Sequence, residues 1–263
     1  MAQVTIRVKR KNLDERLPFA SSQGLGLEIL DLTDPGVVHD DWQGMLRTYR
    51  DALQGFRGRR SIHGPFFDMY LNSADPEVRR VAERAYDRTL RVAEELAADD
   101  VIFHSNLLPM IKEDVYVEGW VNRHVEFWRA AVEGTTLTIA LENLWDPVPE
   151  LLARVVDGVG SARFGLCLDI GHCFNHSPVP AVDWIRALRD RIKMVHVSDS
   201  NGRDETPLAV RKGAIPWDPI CEALATECGQ PDVGLEVESL AEMTESLDRM
   251  RQDGLYPFQP TRA

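Results

Sequence analysis

The sequence contains a series of histidine and carboxylate residues, each at or just after the end of a short apolar stretch. The members of this series are His63, His104, Glu142, Asp169, His172, His196 and Glu236. Imidazole and carboxylate side chains act as general acids and bases, and a mixed set suits zinc, manganese, cobalt or iron better than calcium. If the three acids converge, like charges lie at close range, and a cation is the natural compensation. The series therefore predicts a divalent-metal site with acid–base chemistry.

The apolar stretches are short and rich in β-branched residues, which is typical of buried strands. Such stretches lie at Val4–Val8, Leu25–Leu30, Ser61–His63, Val101–His104, Thr138–Leu141, Phe164–Asp169, Ile192–Val197 and Val233–Val237. Between them lie segments with apolar residues at helical spacing. Strands that alternate with helices indicate parallel βαβ units.

The helical spacing predicts a set of amphipathic helices between the strands. These helices are predicted at Asp75–Ala98, Val117–Val132, Pro149–Val156, Val182–Arg189, Trp217–Cys228 and Leu240–Met250. We therefore predict an α/β fold, a single (β/α)8 TIM barrel with eight parallel strands, as one domain over residues 1–263. A doubly wound open sheet is the alternative, although no G-x-G-x-x-G follows the first strand. In a barrel, the C-terminal strand ends meet at one mouth, so the site residues would converge there.

Composition narrows the classes of partner. Acidic residues outnumber basic ones 42 to 30, which gives a formal net charge of −12. Such a surface repels phosphate backbones and anionic lipid, so we expect no nucleic-acid and no membrane partner. No run approaches the roughly 18 apolar residues of a membrane span, and the N-terminus lacks the apolar region of a signal peptide. The 4 cysteines form no C-x-x-C pair, so we predict free thiols and a cytoplasmic location.

The strand-end segments, taken in order, resemble the xylose-isomerase-like TIM-barrel superfamily. The segments that carry the resemblance are His63-Gly64-Pro65, Phe103-His104-Ser105, Leu141-Glu142-Asn143, Leu168-Asp169-Ile170-Gly171-His172, His196-Val197-Ser198-Asp199-Ser200 and Leu235-Glu236. This superfamily contains sugar isomerases and epimerases together with family-two apurinic endonucleases. The resemblance extends from about Leu25 to Met250.

The resemblance implies one or two divalent cations, of Zn²⁺, Mn²⁺, Co²⁺ or Mg²⁺. The residues that match the ligands of the shared core metal are Glu142, Asp169, His196 and Glu236. His63 and His104 match positions that hold a second metal in the endonuclease-like branch, with Glu142 as the bridge. His172 matches a third-metal ligand in the endonucleases and a substrate contact in the epimerases.

The endonuclease branch completes its third metal site with an Asp-x-His pair between strands seven and eight. The corresponding stretch here, residues 204–213, contains no histidine. The missing pair and the negative net charge argue against cleavage of DNA. They favour an enzyme that acts on a small molecule.

We therefore predict a metal-dependent sugar isomerase or epimerase that acts on a small keto or aldehyde sugar or a polyol derivative. Its mechanism would be metal-assisted proton transfer through an enediolate, and a hydride shift remains an alternative. Glu142 and Glu236 are the predicted acid–base pair, and His172 is an alternative acid or base. The predicted substrate contacts are His172, Arg203, Trp145 and Phe66.

Other regions leave several possibilities open. Loops are predicted at Lys9–Ser21 and Asp31–Gly44, where Lys9, Arg16, Asp31 and His39 could each touch substrate, or none of them. The segment Leu255-Tyr256-Pro257-Phe258 could dock on the barrel or on a second subunit of a homo-oligomer. Two other functions compete with the isomerase: a two-metal phosphoesterase or apurinic-endonuclease-like hydrolase, and a non-catalytic sugar-binding barrel.

Overall fold

The structure, a computed structural model, describes residues Ala2–Gln259. Its strands are β1 Val4–Val8, β2 Gly26–Ile29, β3 Arg60–His63, β4 Asp100–His104, β5 Thr138–Glu142, β6 Phe164–Asp169, β7 Ile192–Val197 and β8 Asp232–Leu235. Each strand pairs in parallel with the next, and β8 pairs with β1 to close the barrel. The predicted (β/α)8 barrel is confirmed, and the open-sheet alternative is wrong because β1 and β8 are paired.

The helices surround the barrel and include every helix that the sequence predicts. Within the described residues they are α1 Leu13–Gln23, α2 Trp42–Ala52, α3 Pro76–Glu95, α4 Asp114–Glu133, α5 Glu150–Val159, α6 Ile170–His176, α7 Ala181–Leu188, α8 Trp217–Glu227 and α9 Leu240–Gln252. The N-cap of α3 is Asp75, whose side chain accepts a hydrogen bond from the backbone of Glu77, with Pro76 at the first helical position.

The two predicted loops are largely helical. Lys9–Ser21 contains a 3-10 turn and most of α1, and Asp31–Gly44 contains a 3-10 turn, a π-helical turn and the start of α2. Helix α1 lacks a clear apolar periodicity because the buried Arg16 occupies a core-facing position between Leu13 and Ala20. The Arg16 guanidinium donates hydrogen bonds to the backbone oxygens of Arg7 and Glu238, which offset part of the cost of its burial.

Alternation along the strands separates the core into two regions. Side chains that point outward pack against the helices, where the largest buried residues include Trp120, Trp128, Trp184, Trp217 and Tyr86. Inside the barrel, one apolar layer consists of Ile102, Ala140, Cys167 and Met194. Because side chains two residues apart on a strand share a face, the next layer toward the mouth consists of His104, Glu142, Asp169 and His196. The apolar layer is therefore the floor beneath four of the predicted site residues.

The segment Leu255–Phe258 docks on its own barrel. Leu255 and Tyr256 are buried, and the Tyr256 hydroxyl donates to the backbone oxygen of Pro231 at 2.5 Å. A homo-oligomer stays a prediction. So does the single domain over residues 1–263, of which Met1 and residues 260–263 lie outside the described residues.

The cysteines are free, as predicted: Cys167, Cys173 and Cys221 are buried and Cys228 is half-buried. Across Ala2–Gln259, none of the helices combines the length and the hydropathy needed to cross a membrane.

Candidate metal centre and substrate pocket

Strand register brings the predicted ligands together at the C-terminal mouth of the barrel. His104 is paired with Glu142 across β4 and β5, and Asp169 is paired with His196 across β6 and β7. Glu236 directly follows β8, and its backbone nitrogen donates to the oxygen of Val197. The convergence that the sequence predicts is therefore present in the fold.

Four of these residues form a compact cluster, which we call the core cluster: Glu142, Asp169, His196 and Glu236. One potential ligand atom from each lies within 4.8 Å of the others. The Nδ1 atom of His196 is 3.2 Å from Oε1 of Glu142, 3.6 Å from Oε1 of Glu236 and 4.0 Å from Oδ2 of Asp169. An imidazole nitrogen is thus surrounded by three carboxylates.

Glu142 also belongs to a second cluster with His63 and His104. Its Oε2 atom lies 3.2 Å from Nε2 of His63 and 3.1 Å from Nε2 of His104. The two Nε2 atoms are themselves 3.2 Å apart. Glu142 therefore directs one carboxyl oxygen at each cluster, which is the arrangement of a bridging ligand.

The donor set of the core cluster fits a divalent cation. Nδ1 of His196 and Oε1 of Glu142 are buried and have no hydrogen-bond partner among the described residues. Buried polar atoms without partners are rare and costly, and a cation would satisfy both. Mixed nitrogen and oxygen ligands suit first-row divalent metals, so the chemistry of the cluster agrees with its geometry.

The surrounding charges keep the two glutamates ionised despite burial. Burial acts to raise the pKa of Glu142, but the imidazoles of His104 and His196 outweigh it and hold that pKa well below its usual range. Burial likewise opposes ionisation of Glu236, but His196 and the Arg7 guanidinium lower its pKa to about 2. Both carboxylates are therefore in the form that binds a cation or accepts a proton.

His172 is held between the core cluster and the cavity above it. Its Nδ1 lies 2.9 Å from the backbone oxygen of Asn143, to which it donates, and 3.4 Å from Oε1 of Glu142. Burial lowers the pKa of His172, but Asp169 and Glu142 outweigh this effect and raise it to about 10. Burial also raises the pKa of Asp169 to about 6. The carboxylates of Asp169 and Glu142 thus favour the protonated form of His172.

Sequence reasoning missed Glu28, which lies on β2 and is fully buried. Nε2 of His196 donates to Oε2 of Glu28 at 3.1 Å. Glu28 escaped notice because it lies inside its strand and not at its end. The signal was a carboxylate between the apolar residues Leu27 and Ile29. In a strand that is buried on both faces, a carboxylate is tolerated only where a hydrogen-bonding or charged partner compensates its burial.

Gly234 makes room for this contact. A Cβ at position 234 would lie 2.6 Å from Cδ2 of His196 and 2.9 Å from Oε2 of Glu28. Glycine is therefore required there by close approach.

Sequence reasoning also missed Arg7 on β1. Its Nε lies 3.6 Å from Oε1 of Glu236, and its Nη1 donates to Oε1 of Glu238 at 3.2 Å. Arg7 therefore fixes the side of the core cluster that faces β1.

A cavity of about 360 Å³ opens above the core cluster. Of the predicted substrate contacts, His172, Trp145 and Phe66 line it. The Phe66 ring stacks on His104, with 4.6 Å between ring centroids. An aromatic wall beside polar groups is typical of a pocket that binds a small polar ligand.

The predicted contact Arg203 lies elsewhere. It is exposed in the segment after β7, does not line this cavity, and its backbone nitrogen donates to Asn201. Its placement does not support a substrate contact. In the same segment, the Glu205 carboxylate accepts a hydrogen bond from Nε2 of His176 in α6.

The fold and the two clusters define a class of protein. Residues 21–253 match the family described as xylose isomerase-like TIM barrel, and the chain belongs to that family.

Two solved structures and one relative found by sequence are similar to this chain. A solved protein from Thermus thermophilus, soaked with ZnCl₂, is 24% identical with a TM-score of 0.74, covering 95% of this chain and 97% of its own. A D-psicose 3-epimerase, solved in the presence of D-fructose, is 17% identical with a TM-score of 0.74, covering 98% and 100%. A probable endonuclease 4 from Mycobacterium leprae is 26% identical over 205 residues, which span 71% of this chain and 77% of the relative. These likenesses establish a shared fold.

Proposed function

We propose that the protein is a metal-dependent sugar epimerase or isomerase that moves a proton at a carbon next to a carbonyl group. The observation that carries this proposal is the core cluster at the base of a small cavity, with Glu236 and His172 both exposed to that cavity. The epimerase among the structural neighbours supports a sugar as the substrate.

The core cluster would hold the cation, and His63 and His104 with Glu142 would hold a second one. When bound, a divalent cation supplies Lewis acidity that polarises a carbonyl and stabilises the enediolate left after proton removal. The chain's own side chains must then orient the sugar and move the proton.

Glu236 is the better placed of the two predicted glutamate bases. Its side chain is 14% exposed and lines the cavity, whereas that of Glu142 is 1% exposed and lies beneath it. We propose that Glu236 takes the proton from one face of the sugar. A carboxylate with a lowered pKa is a modest base, so the reaction depends on acidification of the carbon–hydrogen bond.

The second proton would come from His172, with Glu142 behind it. Nδ1 of His172 donates to the backbone oxygen of Asn143, so Nε2 is the atom left to exchange a proton with the sugar. Oε1 of Glu142 lies 3.4 Å from Nδ1, where its charge favours the protonated ring. This assignment gives the second proton transfer to His172, the alternative acid or base predicted from the sequence, and leaves Glu142 an electrostatic role. The aromatic rings of Phe66 and Trp145 would pack on the sugar and exclude water.

Exchange with solvent deuterium tests the proposed function. Ketoses incubated in heavy water with the Mn²⁺-, Co²⁺- or Zn²⁺-loaded protein should gain deuterium next to the carbonyl. Glu236→Gln should slow this exchange at least about 100-fold, while the exposed Glu222→Gln serves as a charge-matched control. Conversion of a ketose to an aldose without deuterium uptake would indicate a hydride shift. An absence of turnover across the panel would contradict the proposal.

A two-metal hydrolase is the second candidate, favoured by the His63–His104–Glu142 cluster. The endonuclease 4 relative points the same way. This function predicts cleavage of abasic-site DNA or of a generic phosphodiester by the metal-loaded protein. A metal-loaded, folded protein that cleaves neither would rule it out.

A further inference from the structure

We propose that the substrate carries a carboxylate or phosphate group at the end remote from its carbonyl, and that Lys9 binds this group. The inference rests on the proposed function for the reacting end of the sugar. It adds a subsite at the opposite end of the same cavity.

The position of Lys9 follows from β1. Arg7 is on this strand and Lys9 directly follows it, in extended conformation with φ −127° and ψ 160°. Residues two apart in extended chain share a face, and both side chains line the cavity. Arg7 contacts Glu236 at the base of the cavity. Two residues of extended chain rise by about 6.6 Å, so Lys9 lies that much farther along the strand direction, toward the opening.

Lys9 is a half-buried cation with little to neutralise it. Among residues 2–259, no carboxylate oxygen lies within 4.0 Å of its Nζ, whose hydrogen bond goes to Oγ1 of Thr33 at 3.5 Å. That hydroxyl donates its own hydrogen to the backbone oxygen of Leu30 at 2.8 Å, so a lone pair is left for Lys9. Thr33 therefore orients the ammonium group without neutralising it.

The acids that share the cavity lining are held by other partners. Asp199 accepts hydrogen bonds from Trp217 and from backbone nitrogens, and Glu205 pairs with His176. Glu238 pairs with Arg7. Because these acids are engaged, an anionic ligand is the complement that the Lys9 ammonium lacks.

The size of the cavity fits this arrangement. A monosaccharide with its carbonyl end between Glu236 and His172 would extend its other end toward the opening of the cavity, and Lys9 is among the residues that line this cavity. A carboxylate or phosphate on that terminal carbon would receive a charge-assisted hydrogen bond. Two substrate classes share this chemistry: sugar acids and sugar phosphates.

The test compares three ligands with the same carbon skeleton: D-fructose, D-fructose 6-phosphate and D-fructuronate. Calorimetry on the cation-loaded protein should show at least one anionic ligand binding about tenfold or more tighter than D-fructose, as expected for one charge-assisted hydrogen bond. Which anion gains more tells sugar phosphates from sugar acids.

Variants locate the effect. In Lys9→Met the preference should fall below about twofold, and Lys9→Arg should retain most of it. Lys11→Met removes the same charge from an exposed residue outside the cavity and should keep the full preference. An anion that contacts the cation instead of Lys9 would keep its preference in Lys9→Met, which overturns the subsite. Equal binding of the three ligands, or no binding, overturns it as well.

Failure of the subsite and failure of the proposed function give different results. Tight binding of an anionic ketose without deuterium exchange leaves the subsite in place and contradicts the epimerase. Deuterium exchange on neutral ketoses without any preference for an anionic ligand supports the epimerase and contradicts the subsite.

Discussion

Nε2 of His196 donates a hydrogen bond to Oε2 of Glu28 at 3.1 Å, and both side chains are fully buried inside the barrel. This bond places a proton on Nε2 and leaves Nδ1 to face the carboxylates of the core cluster. A carboxylate behind a histidine ligand orients its ring and raises its basicity. Glu28 is thus a positioning residue for the predicted metal centre.

Removal of the Glu28 carboxylate should weaken metal binding. Glu28→Leu should lower the affinity for Zn²⁺ by about 10- to 100-fold, because the His196 ring loses its anchor. Glu28→Gln keeps an acceptor oxygen and should lose less. Competition with a chelating dye measures the affinity, and thermal unfolding confirms that each variant folds. A Glu28→Leu affinity within about twofold of the wild type would contradict the positioning role.

A larger residue at position 234 should disturb the contact between His196 and Glu28, because the added atoms would press on both side chains. A methyl group there lies 2.6 Å from the His196 ring, so Gly234→Ala should destabilise the protein by about 1–3 kcal/mol and weaken Zn²⁺ binding. Gly119 provides a control of opposite sign, because a Cβ at this position in α4 meets nothing within 4 Å. Gly119→Ala should stabilise by about 0.5–1 kcal/mol. Denaturant unfolding measures both, and equal effects would contradict the prediction.

The barrel and the four residues of the core cluster were predictable because they rest on local patterns. Strand-end residues such as Asp169 and Glu236 combine a periodic apolar run with an abrupt polar side chain. Any parallel barrel gathers such residues at one mouth. Knowing the fold class was therefore enough to bring these residues together.

The features that sequence reasoning did not predict depend on which way a side chain points in the folded protein, and the order of residues along the chain does not reveal this. Glu28 lies inside a strand, and its importance depends on the ring of His196, 168 residues away. Arg203 follows a strand as the predicted ligands do, yet its segment leaves it exposed. Helix α1 was hidden because the buried Arg16 interrupts its apolar face.

The two carboxyl oxygens of Glu142 predict how many cations the protein holds. Since Oε1 faces the core cluster and Oε2 faces His63 and His104, the wild type should bind about two equivalents of Zn²⁺. His104→Ala should bind about one, because it removes a ligand from the second cluster only. Elemental analysis after dialysis gives the count. The same stoichiometry in both proteins would show that His104 is not a ligand.

The buried His124 of α4 predicts a pH-dependent loss of stability far from the metal centre. Burial lowers its pKa from 6.5 to about 3, and its Nδ1 accepts a hydrogen bond from Nε1 of Trp128 at 3.2 Å. A folded-state pKa below the unfolded value means that the unfolded chain takes up the proton first. The contribution of His124 is therefore complete above about pH 6.5 and declines as the pH falls toward 3.

The contribution of His124 to the free energy of unfolding should fall by about 1.4 kcal/mol per pH unit, or by about 2 kcal/mol between pH 6.5 and 5. His124→Asn retains an acceptor for Trp128 but does not titrate in this range, so its free energy of unfolding should depend less on pH by that amount. His39→Asn, at an exposed position, is the matched control and should leave the wild-type slope intact. Urea unfolding of metal-free protein from pH 7 to 5 gives the three slopes. If His124→Asn and wild type run parallel, His124 takes up no proton on unfolding in this range.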